Sequence, residues 1–206
     1  MACVLFGAGD FFGLRRPIGE KDLVIAADAG WRHCLAAGAE PTLLLGDFDS
    51  LPRVPDFPHI RRVPVRKDDT DMMLAIKEGL AAGEREFYIY GGMGGARTDH
   101  TLANLQGLLY LAHHGARGWL YGRGERYTAL TGGTVVLPAQ EGIFSLFCMG
   151  AEVRGLSIAS GDYPLEDAVL TPRFPLGVSN HFIGRDVTVS LREGDLVIGI
   201  HEGEAP

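Results

Sequence analysis

The chain changes its pattern once, and that change limits the folds open to it. Up to about Gly124, short apolar runs alternate with stretches of helical periodicity. The β-prone runs fall at residues 4–6, 23–26, 43–45, 60–65, 87–90 and 118–121, and the helical stretches at 31–37, 71–82 and 101–113. In the last of these, Leu102, Leu105, Leu109 and Ala112 recur at the spacing of one helix face. Gly38, Gly83 and Gly115 stand where helices stop. Strands that are apolar throughout, separated by helices, predict an α/β fold with a mostly parallel sheet and helices on both faces.

Beyond that point helical periodicity ends and short strands recur between turn residues: Gly132-Gly133, Pro138, Gly142, Gly150, Gly155, Gly161-Asp162 and Gly184. Such spacing predicts an all-β sandwich or barrel, and the sandwich is the expectation carried forward. Residues 187–191 alternate apolar and polar, and 196–200 return after Gly194-Asp195, which predicts a hairpin. Two domains are expected, 1–125 and 126–206.

The 206 residues include 46% hydrophobic and 22% charged side chains, a globular mixture with enough apolar mass to exclude a disordered chain. A formal net charge of −7 opposes a nucleic-acid partner, whose footprint is a basic face. No apolar run reaches the ~20 residues that cross a bilayer. The first residues lack a basic n-region and read as a strand, not a signal peptide. Cys3, Cys34 and Cys148 are too scattered for a disulfide framework or a zinc site and read as buried hydrophobes in a reducing compartment; the expected location is the cytoplasm.

Three motifs carry chemistry. The apolar run 43–45 ends in Gly46-Asp47-Phe48-Asp49-Ser50. Open α/β sheets bind ligands at the carboxyl ends of their strands. If extended geometry persists to Asp49, Asp47 and Asp49 project to the same side and repel unless a cation lies between them. Oxygen-only ligands of this kind suit Mg²⁺, whereas the plainer reading is a turn. The second motif, Lys67-Asp68-Asp69-Thr70-Asp71, precedes a helix. One carboxylate or Thr70 suffices as a cap, so the excess acid beside Lys67 points to a function for at least one of these side chains. In the third, glycine fills four of the five positions 91–95, ahead of Ala96-Arg97-Thr98-Asp99-His100. A glycine-rich turn from strand to helix leaves backbone N–H groups open to phosphate, and Arg97 adds a fork of donors; a flexible connector with Asp99 as cap is the plainer alternative. Asp28 ends the second apolar run and belongs on the same sheet edge as Asp47. His33 and Cys34 read as packing, and His113-His114 as helix-end charges.

Taken in order, Ala27-Asp28-Ala29-Gly30, Gly46-Asp47-Phe48-Asp49-Ser50, Lys67-Asp68-Asp69-Thr70-Asp71, Arg97-x-Asp99-His100 with Asn104, and Ser179-Asn180 resemble the thiamine pyrophosphokinase family over nearly the whole chain. One departure is Ala96, an extra residue between the glycine loop and Arg97. The resemblance implies transfer of the pyrophosphoryl group of ATP to thiamine with Mg²⁺, giving thiamine diphosphate and AMP. It implies a homodimer whose active site lies between the α/β domain of one chain and the β domain of the other. On this reading Asp47, Asp49 and Asp71 are the metal ligands, and Arg97 and Lys67 hold phosphates. Asp99 orients Arg97 or the acceptor, with Asp28, Asp68, Thr70, Gly94, Gly95, His100 and Asn104 around the nucleotide. Ser179 and Asn180 contact thiamine. A metal-dependent phosphohydrolase, a pyrophosphokinase for another alcohol such as a pterin, and a catalytically silent binding module are the alternatives.

Overall fold

The computed structural model describes residues 1–48 and 56–203. Asp49, a predicted metal ligand, and Ser50 lie outside the described residues. By its contacts the chain divides into two units, Met1–Gly107 with His114–Arg123, and Leu108–His113 with Gly124–Pro206.

The apolar runs of the first unit become strands β1 (Cys3–Phe6), β2 (Leu23–Ala27), β3 (Leu43–Gly46), β4 (Ile60–Arg62), β5 (Glu86–Tyr90) and β6 (Arg117–Tyr121). All neighbours are parallel, in the order β6-β5-β1-β2-β3-β4. Between them run α1 (Trp31–Ala36), α2 (Asp71–Ala81) and α3 (Thr98–His113). Period-two alternation sorts the strand side chains onto two faces. Val4, Phe6, Val24, Ala26, Leu44 and Tyr90 form one cluster with Cys34 of α1. On the other face Gly79 of α2 lies against Cys3 and Phe87, and Gly107 of α3 against Ile76. Helices therefore cover both faces, as the uninterrupted apolar runs require.

Two expectations are corrected here. The buried side of α3 holds Asn104, Leu108, Leu109 and Leu111; of the expected stripe Leu109 is buried, Leu105 and Ala112 are half-buried and Leu102 is exposed. The sequence pattern missed part of the buried side because it begins with a polar residue, Asn104, whose amide donates to the Gly92 carbonyl at 2.6 Å. The condition that extended backbone continue past Asp47 also fails at Phe48, which is left-handed (φ 60°) and packs in the core cluster.

The second unit holds β7 (Glu125–Leu130), β8 (Gly133–Leu137), β9 (Gly142–Cys148), β10 (Val153–Ala159), β11 (Leu165–Leu170), β12 (Asn180–His181), β13 (Val187–Leu191) and β14 (Leu196–Glu202). They form two antiparallel arrays, β12-β9-β14-β7 and β11-β10-β13-β8. Inward residues such as Val187 and Val189 are fully buried. The fold is α/β followed by a β-sandwich. The hairpin expected at Gly194-Asp195 is absent, because β13 pairs with β8 and β10 whereas β14 pairs with β7 and β9. The tight turn instead passes the chain between arrays, with Glu193 bridged to Arg154. Among the described residues no helix is long and apolar enough to cross a membrane.

Candidate active site in the first unit

The carboxyl ends of the parallel strands open onto a cleft of about 630 Å³. Its walls come from five connections. After β1, residues Gly7, Ala8 and Gly9 line it; after β2, Asp28; after β3, Asp47; and after β5, the glycine loop with Arg97. The fifth contribution is the approach to α2, with Lys67, Asp69, Thr70 and Asp71.

Backbone proximity builds these walls. The loop after β1 runs beside the glycine loop, with Gly7 N donating to Tyr90 O, Gly9 N to Gly91 O and Asp10 N to Met93 O, each at 2.8 Å. A Cβ on Gly91 would overlap the Gly7 carbonyl oxygen, and Gly91 has φ 63°, so glycine is required twice over. His33 stacks on Phe11 and its Nε2 lies 2.7 Å from Gly9 O, pinning the same loop from α1. At the next strand end, a Cβ on Gly46 would sit 3.1 Å from the Asp28 backbone, so Gly46 lets Asp28 and Asp47 share one edge. The sequence shows Gly7-Ala8-Gly9-Asp10 as only a loose match to the family's N-terminal glycine turn, and Gly7 and Gly9 are not among the expected site residues. The signal was there: a Gly-x-Gly directly after an apolar strand.

Lys67 sits at the centre of the acid cluster. Its Nζ is 3.1 Å from Asp47 Oδ2 and 3.1 Å from Asp71 Oδ1, and it donates to Pro64 O at 3.2 Å. Burial lowers the lysine's proton affinity, but the two carboxylates outweigh it and hold the pKa above its ordinary value. Burial raises the Asp71 pKa; Lys67 opposes the shift, while Asp47 and Asp28 add to it by repulsion. Thr70 caps α2, its hydroxyl accepting from Met73 N at 3.1 Å. Asp69 pairs with Lys77 at 2.7 Å. Asp68 is exposed and off the cleft wall.

Across the cleft, Gly94 and Gly95 are left-handed, with φ 70° and 71°. Arg97 is solvent-exposed and forks onto Asp99, Nε at 3.0 Å from Oδ1 and Nη2 at 2.7 Å from Oδ2. That contact holds the Asp99 carboxyl down at about 2. Arg97, His100 and Asn104 line the cleft, and Asp99 stands behind Arg97.

The donor set suits a hard divalent cation. Asp28, Asp47 and Asp71 supply oxygens alone on one cleft, near enough for mutual repulsion, and a lysine ammonium already sits between two of them. Among the described residues no three His, Cys, Asp or Glu side chains form a ready-made metal cage.

Ser179 and Asn180 lie in the second unit. Ser179 is left-handed (φ 61°) and its N–H donates to Ser145 Oγ at 3.0 Å. Asn180 is 4% exposed and clamps the backbone of Tyr163, accepting from its N at 3.0 Å and donating to its O at 2.7 Å. Beside it runs a groove of about 460 Å³ lined by Ile158, Tyr163, Leu165, Leu176 and Val178.

A parallel sheet with an acidic, glycine-walled cleft at its carboxyl edge, followed by a β-sandwich, is an arrangement suited to a phosphate-bearing ligand. Residues 14–120 match the catalytic domain of thiamin pyrophosphokinase, and residues 134–196 its vitamin B1 binding domain. The chain belongs to the thiamin pyrophosphokinase family. It is 27% identical over 187 residues to the thiamine pyrophosphokinase of Bacillus subtilis (strain 168), covering 87% of each chain. The crystal structure of thiamine pyrophosphokinase from Bacillus subtilis superposes with a TM-score of 0.86 at 24% identity, over 98% of this chain and 100% of that one. Thiamin pyrophosphokinase from Geobacillus thermodenitrificans gives 0.84 at 25% identity, over 100% and 99%.

Proposed function

We propose that this enzyme transfers the pyrophosphoryl group of ATP to the hydroxyl of thiamine, giving thiamine diphosphate and AMP. The observation that carries the reading is the single cleft that joins Asp28, Asp47, Lys67 and Asp71 to two apposed glycine loops and Arg97. Asp47 and Asp71, with Asp49, would hold Mg²⁺, which supplies charge neutralisation for the polyphosphate. The thiamine hydroxyl oxygen bonds to the β-phosphorus of ATP, the α–β bridging bond breaks toward AMP, and the hydroxyl proton leaves to solvent. Such a transfer asks the protein for position and charge, not for a covalent nucleophile. The glycine loop offers backbone N–H groups to phosphate oxygens, Asp99 orients Arg97 by holding Nε and Nη2, and the remaining guanidinium N–H groups of Arg97 meet the phosphates. Thr70 keeps α2 in place so that Asp71 faces the cleft. His100 and Asn104 line the nucleotide side.

In this reading thiamine belongs to the groove beside Asn180, where Asn180 shapes the wall by holding Tyr163. A homodimer is part of the same reading and is tested by sedimentation. The deciding experiment incubates the enzyme with ATP and Mg²⁺, with and without thiamine. AMP and thiamine diphosphate formed in equal amounts, and only with thiamine, support the proposal. Phosphate release that ignores thiamine overturns it in favour of a phosphohydrolase.

A further inference from the structure

We propose that Lys67 is a tethered counter-ion, occupying with its ammonium the place between Asp47 and Asp71 that a divalent cation takes, so that metal entry must expel it. The inference rests on the Mg²⁺-dependent reading of the cleft. The ammonium donates to Asp47 Oδ2 at 3.1 Å and to Pro64 O at 3.2 Å, and forms an ion pair with Asp71 Oδ1 at 3.1 Å. The lysine side chain is 15% exposed, so the pairing is drawn out of bulk water into a lower-dielectric setting in which charges attract more strongly.

The arrangement joins elements that are distant in the chain. Asp47 follows β3, Asp71 opens α2, and Lys67 comes from the loop between β4 and α2. Without a cation the two carboxylates repel each other, with Asp28 adding to the load on Asp71. Lys67 relieves that repulsion with one positive charge and keeps the edge assembled before ligands arrive. A magnesium ion needs oxygens at about 2.0–2.1 Å and brings two charges. An ion that takes the two oxygens the ammonium contacts, Asp47 Oδ2 and Asp71 Oδ1, displaces the ammonium from between them. Binding is therefore an exchange of cations, and the displaced ammonium becomes free to meet an anion.

The test is a metal titration without nucleotide, using Mn²⁺ as the probe, followed by calorimetry and by the shift in melting temperature. Lys67→Met removes the charge and nearly keeps the volume. It is expected to bind Mn²⁺ at least about fivefold more tightly than the unaltered enzyme, a change of about 1 kcal/mol. Its metal-free melting temperature should fall, and Mn²⁺ should restore it. Lys67→Arg keeps the charge and should stay near the unaltered affinity. Unchanged or weaker Mn²⁺ binding in Lys67→Met, with only the KM for ATP raised, makes Lys67 a phosphate ligand alone and overturns the proposal. So does a Lys67→Met protein that fails to fold even at saturating Mn²⁺. Asp47→Asn separates the two readings: if it leaves Mn²⁺ binding unchanged, the metal reading of the cleft has failed, whatever Lys67 does.

Discussion

Cys34 is fully buried in the cluster between α1 and the sheet, and burial pushes its thiol up to about 11 from an ordinary 9.0. Its raised pKa means the folded state keeps the proton longer than the unfolded chain. The associated stability is complete below pH ~9 and is lost as pH rises toward ~11. Comparing the enzyme with Cys34→Ala in reducing urea melts, the stability gap should shrink by about 2 kcal/mol between pH ~8 and ~10.5. A constant gap would show that the thiol is not desolvated. Asn180 was legible as a polar residue worth notice, but not as a clamp, because its partner Tyr163 is brought to it by the β-sandwich. Asn180→Ala removes both hydrogen bonds to the Tyr163 backbone and should cost about 1–3 kcal/mol in denaturant unfolding, at about 0.5–1.5 kcal/mol for each bond. The acid cluster was legible earlier than either, since charged side chains at the ends of apolar strands need partners and the fold rule puts those ends on one edge. That Lys67 would be the partner was not, because only tertiary structure sets Asp47 beside Asp71.

Elements with strong local signals matched their expected places. Thr70 and the helical periodicity after it locate the start of α2, and Gly83 follows its end. The start of α3 came earlier than expected, at Thr98, because the glycine loop releases the chain straight into a helix. The missing hairpin has a different cause: a Gly-Asp turn says that a chain reverses, but not which array receives the next strand. The paired loops after β1 and β5 depend on backbone approach that no side chain but glycine permits. Gly91→Ala combines a left-handed backbone with a collision against Gly7, so unfolding free energy should drop by at least about 2 kcal/mol and activity by more than tenfold. A variant that melts and turns over like the unaltered enzyme would mean the loops are not held together as described.

For the molecule as a whole, the ends of the arrays decide how it behaves in company. β11 ends one array, carries Glu166 and Asp167, and has two register shifts against β10, which spoil it as a template. The opposite end, β8, pairs regularly with β13, bears no charge and exposes Val136. Val136→Glu should lower light scattering on heating while changing stability by less than about 1 kcal/mol. If scattering is unaffected, self-association starts elsewhere.

The inward place of β14 bears on how the protein is made. β7 and β9 leave the ribosome with the strand that must lie between them still untranslated, since β14 follows β9 by the whole stretch 149–195. At about 5–20 residues per second, their facing edges stay unpaired for seconds, long enough for a chaperone or a neighbouring nascent chain to reach them first. Speed of elongation through that stretch, more than the strength of any contact in the finished enzyme, would then set the yield of folded protein.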